Sequence, residues 1–269
     1  MTYPLNLVII RHGESEGNVA NDFSRKGDNH CFTPEHLSRH SHWWRLSDRG
    51  ITQVKLTGDW LRQNHFDHFD HYLTSTQARA IETAAYLNFT KSNWQLEYDW
   101  RERDAGDFDV MTEDERQLRY PEYFKLYERE RFFLPHPNGE STADVTSRLQ
   151  RRLIPLLSQT WTNKNVIMVG HGDTIRALRI IIENIAPHVF NSLMTSKDPY
   201  LKTENCQIIH YTRINPANLK DVRAEPTWVR SLCPSNPKTP HYDWKEIVRT
   251  KYTNDELMQI VQPYHRLVA

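Results

Sequence analysis

Two histidines, each following an apolar run and each preceding a glycine, are the residues of this chain best suited to covalent chemistry. The first ends the run Leu5-Asn6-Leu7-Val8-Ile9-Ile10 as Arg11-His12-Gly13, and the second ends Asn165-Val166-Ile167-Met168-Val169-Gly170 as His171-Gly172. A buried strand that stops at an imidazole puts that side chain beyond its carboxyl end, where ligands sit in open α/β sheets. Arg11 adds a planar fork that fits phosphate or carboxylate. On its own Arg-His-Gly is more simply read as an exposed loop. A third segment, Thr74-Ser75-Thr76-Gln77-Ala78-Arg79, leaves a short strand around Tyr72-Leu73 and opens a helix. The first turn of that helix can offer backbone N–H groups and Arg79 to an anion. Residues 100–108 follow a further strand expected over 94–98 and carry three carboxylates, Glu102, Asp104 and Asp107.

The order Arg11-His12-Gly13-Glu14-Ser15-x-x-Asn18 resembles the signature of the histidine phosphatase superfamily, the phosphoglycerate mutase-like proteins. Ser75-x-x-x-Arg79-Ala80-x-x-Thr83-Ala84 is similar to the second motif of that family, although Thr76 stands where a proline is common. Glu102-x-x-x-Gly106 resembles its acidic motif, and Val169-x-His171-Gly172 its last one, so the resemblance spans residues 5–211. It implies an α/β fold with an open, mostly parallel sheet and helices on both faces. Residues 1–215 would form this domain, with a helical cap insertion at about 110–135, and residues 216–269 an extension packed on it.

The resemblance also implies a reaction: metal-independent hydrolysis of phosphomonoesters through a phosphohistidine on His12. Arg11, Arg79, Asn18 and a protonated His171 would balance the charge on the transferring group, with Ser15 and Gly172 beside the substrate. Glu102 would protonate the leaving alkoxide, a task that needs a carboxyl able to hold its proton. Asp104 and Asp107 compete for that role. No cofactor is implied, and the arginines and imidazolium supply the charge that a metal otherwise would. Mutases of the family typically read Glu-Trp-Asn after the serine, whereas this chain has Glu16-Gly17-Asn18, which favours a phosphatase over a mutase. A catalytically silent phospholigand-binding protein is the alternative of a different class, and the presence of every charged position needed for turnover argues against it.

These groups need elements to position them. Ser47 or Asp48 can cap a helix whose inward face is Ile51, Val54, Trp60 and Leu61, and Ser141 or Thr142 can cap another with Val145, Leu149, Leu153 and Leu156 at helical spacing. Residues 19–45 are polar, rich in histidine and weakly periodic, and read as a long loop over the site or an insertion held down by Trp43-Trp44. Residues 113–131 suggest two amphipathic helices broken at Pro121, a roof in the family's manner. His65, His68 and His71, interleaved with Asp67 and Asp70, lack a convincing ligand pattern. Beyond Asn215 recurrent prolines disfavour long elements, leaving an edge strand at Trp228-Val229-Arg230 and a terminal helix with Leu257, Ile260 and Val261 packed inward.

At 269 residues and 38% hydrophobic the chain can bury a sizeable core, read as one domain. Lys plus Arg equals Asp plus Glu at 34 each, so no global field draws nucleic acid or an anionic membrane, and any anion affinity is local. The expected partner is a phosphorylated small molecule or a phosphoprotein. Three cysteines without metal spacing suggest a reducing compartment, and without an apolar leader or a run of roughly 20 apolar residues the expectation is a cytoplasmic protein.

Overall fold

The computed structural model describes residues 3–196 and 200–268. Strand β1 (Asn6–Arg11) leads into helices α1 (Glu16–Ser24), α2 (Pro34–Ser38) and α3 (Asp48–Gln63). Then come β2 (His71–Ser75), α4 (Ala78–Tyr86), β3 (Trp94–Glu97), the short helices α5 (Glu113–Arg119) and α6 (Pro121–Tyr127), and α7 (Thr142–Pro155). Next are β4 (Asn165–Gly170), α8 (Gly172–Glu183), α9 (Pro187–Thr195), β5 (Ile208–Thr212) and the small hairpin β6 (Ile214–Asn215) and β7 (Asn218–Val222). Strands β8 (Trp228–Leu232) and β9 (Tyr242–Glu246) and helix α10 (Asn254–Val261) complete the chain.

Seven strands form one sheet in the order β3-β2-β4-β1-β5-β8-β9. The first four run parallel, while β5, β8 and β9 each pair antiparallel with the preceding neighbour. Alternation along β1 divides the core. Leu7 and Ile9 join Val145, Leu149 and Leu153 of α7 and Ile175 and Leu178 of α8, whereas Val8 and Ile10 join Val54 and Leu61 of α3 and Ala80 and Ala84 of α4. Helices therefore cover both faces, and the strands are buried from either side as parallel sheets require.

Some sequence expectations need correction. Residues 19–45 are not a long loop: α1 starts at Glu16, capped by Ser15 with Asn18 answering at the third position, and α2 follows. The reciprocal cap was hidden because Asn, not Glu or Gln, stands at the third helical position. Trp44 is buried and Trp43 is exposed, so one tryptophan, not two, holds the segment down. The prolines after Asn215 fall outside the five-residue strands β8 and β9, which lengthen the sheet across its β5 edge. Helix α10 exists, but Leu257 and Val261 are about half exposed and no residue of it is buried. Apolar spacing defines a face and does not guarantee a surface to receive it.

Candidate active site

Register brings the reactive ends together. Arg11 of β1 lies opposite Gly170 of β4 in parallel pairing, so the next residues, His12 and His171, emerge side by side. Strand β2, parallel to β4 on its other side, delivers Arg79 at the start of α4, and β3 delivers the 98–102 turn to the same edge. The two imidazoles are 2% and 0% exposed, with ring centroids 5.1 Å apart. Nδ1 of His12 lies 2.7 Å from the carbonyl of Gly13. A carbonyl only accepts, so Nδ1 carries the hydrogen and Nε2 keeps its lone pair. Burial, then the charges of Arg79 and Arg11, push the His12 pKa well below the usual histidine range, leaving a neutral imidazole.

Arg11 and Arg79 are fixed by neutral acceptors. Arg11 donates to the carbonyl of Thr203 at 2.6 Å, and Arg79 to the carbonyl of Ser41 at 2.9 Å and to Gln77 Oε1 at 3.0 Å. Among the described ion pairs neither arginine has a carboxylate partner. Nε of Arg11 and both ring nitrogens of His171 are buried without a hydrogen-bond partner. Cations and polar atoms held in this way and left unanswered by the protein are suited to an anion. A Cβ built on Gly172, at the start of α8, would stand 3.6 Å from Arg176 Nη2 and 3.7 Å from Arg11 Nε, so a side chain there would project between two guanidinium groups.

Glu102 is set by three contacts that the sequence did not advertise. Trp100 lies against Gly170, where an added Cβ would come within 2.4 Å of its indole nitrogen, and that nitrogen donates to the carbonyl of Val169. Arg148, on the inner face of α7, donates to the carbonyls of Asp99, Arg101 and Glu102. Gln77 Oε1 accepts from both Arg79 and the Glu102 N–H, tying Arg79 to the loop that carries Glu102. The carboxylate itself accepts through Oε1 from the N–H groups of Arg103 and Asp173, at 3.0 and 3.1 Å, and from the hydroxyl of Thr174 at 3.4 Å. The competing carboxylates are engaged elsewhere. Asp104 caps the turn at Gly106, and Asp107 accepts from Tyr120 and Asn138.

The model of the histidine phosphatase superfamily (branch 1) matches residues 7–198. The chain belongs to this family. A 2,3-bisphosphoglycerate-dependent phosphoglycerate mutase of Nitrobacter hamburgensis is 28% identical over 186 residues, covering 67% of this chain and 82% of that one. The fructose-2,6-bisphosphatase of Saccharomyces cerevisiae is 28% identical over 182 residues, 68% of this chain but 35% of the yeast protein. A solved complex of a mycobacterial glucosyl-3-phosphoglycerate phosphatase with inorganic phosphate superposes with a TM-score of 0.60 at 18% identity, covering 86% of this chain and 99% of that one, and shares the fold.

In this chain Ser15 caps α1 and receives the N–H of Asn18, so it holds Asn18 in place. Asn18 Oδ1 accepts from Ser15 and from Asn205, which turns its amide nitrogen outward as a donor. Gly17 lies under Trp44, whose ring carbon would stand 2.4 Å from a Cβ built there. A tryptophan at position 17 would thus collide with the one at 44. His65 ends α3 in the left-handed region and His71 stacks on Trp161. Among the described residues no three His, Cys, Asp or Glu gather as metal ligands, and no helix is long and apolar enough to cross a membrane.

Sequence reasoning missed Gln77, Arg148 and Asn205. Only Arg148 left a signal, as a charge between Val145 and Leu149 on the buried stripe of α7. The charge on His171 depends on whether an anion is bound. Burial first, then Arg79, His12 and Arg11, push its pKa well below the usual range, so it is neutral in the unliganded protein. An anion beside it raises that pKa. Between the free and bound values binding takes up a proton, and affinity must therefore rise as pH falls. Sulfate, doubly charged throughout the neutral range, is expected to bind more tightly toward about pH 6, with proton uptake visible by calorimetry in buffers of different ionisation heat. His171→Gln should flatten the dependence, and a pH-independent affinity in the unmutated protein would contradict this coupling.

Proposed function

We propose that the protein is a metal-independent phosphomonoester hydrolase that works through a phosphohistidine on His12. The observation that supports this reading is the Nδ1–H of His12 bound to Gly13, which leaves a neutral Nε2 lone pair on a ring 5.1 Å from that of His171 and within reach of the charges of Arg79 and Arg11. Nε2 attacks phosphorus in line with the leaving oxygen. Arg11, Arg79, Asn18 and His171, protonated once the anion is present, hold the equatorial oxygens. Glu102 gives its proton to the departing oxygen, and its carboxylate then activates the water that releases phosphate from His12. The guanidinium groups supply the positive charge, so divalent ions have no assigned task.

The test is a rapid base quench of the protein with an activated aryl phosphate carrying labelled phosphorus, followed by acid treatment of a matched sample. Label should be retained at His12 as an acid-labile, base-stable adduct, and activity should survive a chelator. Lack of an adduct under rapid quench, or activity lost to chelator and restored by a divalent ion, would reject the mechanism. A mutase remains the competing reading, because the relative from Nitrobacter hamburgensis is named as one. Trp44 seated over Gly17 favours the hydrolase, since the mutase-type tryptophan has no room at that position. Isomerisation of a phosphoglycerate faster than its hydrolysis would reverse this choice.

A further inference from the structure

Gln77 stands where local rules call for a different side chain. It occupies the N-cap position of α4 yet makes no side-chain cap bond, and serine, threonine, aspartate or asparagine ordinarily serves there. The residue is 9% exposed, and its Oε1 is spent on Arg79 Nη2 at 3.0 Å and on the Glu102 N–H at 3.1 Å. Both lone pairs of the amide oxygen are therefore taken. A residue that breaks a local preference is expected where it serves a site.

The two groups joined in this way otherwise belong to different parts of the fold. Arg79 starts α4 and is steadied by the carbonyl of Ser41. Glu102 is held from the other side, where Arg148 of α7 donates to its carbonyl, the Asp173 N–H of α8 donates to its carboxylate, and Thr174 Oγ1 donates to the neighbouring carbonyl of Arg101. Beyond the last β2–β3 pair, Ser75 with Glu97, Gln77 is the one hydrogen-bonded link between the start of α4 and residues 98–104 among the described residues. A neutral amide also suits the position. A carboxylate would pair with Arg79 and offset charge that an anion needs, whereas the amide oxygen orients the guanidinium and leaves its charge in place. We propose that Gln77 is a positioning residue that sets Glu102 against the phosphoryl group, so that an anion ordering Arg79 also orders residues 98–104 through the shared oxygen. Proton transfer needs the donor within hydrogen-bond reach of the leaving oxygen, and a misplacement of about 1 Å can cost 10²-fold.

This inference rests on the hydrolase reading for the task of Glu102, but its first test needs no turnover. Hydrogen–deuterium exchange of a peptide covering residues 98–104 is measured with and without saturating sulfate. Sulfate should slow exchange there by roughly threefold or more in the unmutated protein, and Gln77→Leu should lose most of that protection while still binding sulfate. Gln77→Glu keeps an oxygen for both donors and a similar shape, so the segment should exchange as slowly as in the unmutated protein while sulfate affinity falls by roughly tenfold. Absence of sulfate protection in the unmutated protein, its retention in Gln77→Leu, or fast exchange in Gln77→Glu would overturn the proposal. Turnover gives a second readout. Gln77→Leu should slow an alkyl phosphate by about 10–10²-fold and an activated aryl phosphate much less, and it should add little to the loss caused by Glu102→Gln, because placement of an absent acid has no effect. Equal slowing of both substrates, or a full further loss in the Glu102→Gln background, would equally overturn it. If the exchange coupling holds while no monoester is hydrolysed, the hydrolase reading fails and the link from Arg79 to the Glu102 segment stands.

Discussion

Replacing His12 by alanine is expected to lower hydrolysis of every phosphomonoester, alkyl or aryl, by at least about 10⁴-fold. The reason is that no other group near phosphorus is placed to take over. His171 is neutral and buried, but neither of its ring nitrogens has a partner to fix which one carries the hydrogen, whereas Gly13 fixes this for His12. Removal of the ring leaves the Gly13 carbonyl without its donor, which costs about 1–3 kcal/mol if it stays buried, so thermal unfolding should accompany the assay. Arg11 and Arg79 keep their bonds to Thr203, Ser41 and Gln77 in this variant, and sulfate should still bind. A correctly folded variant with more than a few per cent of the original rate would show that His12 is not the nucleophile.

The second large effect separates the acid from the nucleophile. Glu102→Gln keeps an oxygen for the N–H groups of Arg103 and Asp173 and removes only the proton that the carboxyl donates. An alkyl phosphate leaves as a basic alkoxide and should slow by about 10²–10⁴-fold, the usual worth of general acid help. An activated aryl phosphate needs little protonation of its leaving oxygen and should slow much less. Rates for the two substrates measured side by side decide the point. Equal slowing would mean that Glu102 positions the site and that the proton comes from elsewhere. Asp104 and Asp107 are poor replacements, because a turn N–H holds the first and Tyr120 and Asn138 hold the second.

The sequence by itself determined the motif order and the chemistry of its parts. Apolar runs that stop at Arg11-His12-Gly13 and at His171-Gly172 marked two strand ends, because period and length are local properties of the chain. Helix starts at Ser47 and Ser141 were legible for the same reason, since a cap is formed by residues three apart. Pro121 likewise stands at the first position of α6, as its missing N–H dictates.

Only the tertiary structure decided which ends meet and what charge they carry. The pairing of Arg11 with Gly170 sets the two imidazoles side by side across 159 residues of chain, and no local pattern encodes that register. Gln77 reads in sequence as a polar residue before a helix, yet its amide oxygen joins Arg79 to the Glu102 loop. Gly17 and Trp44 look unrelated until the ring is found over the glycine. The neutral state of His171 in the unliganded protein follows from burial among cations contributed by separate segments, which the residue type alone does not show. Exposure is decided in the same way: α10 has an apolar face like that of α3, but α3 meets the sheet and α10 meets solvent. Local propensity fixes an element and the direction of its faces, whereas desolvation, register and charge depend on which other surfaces arrive against it.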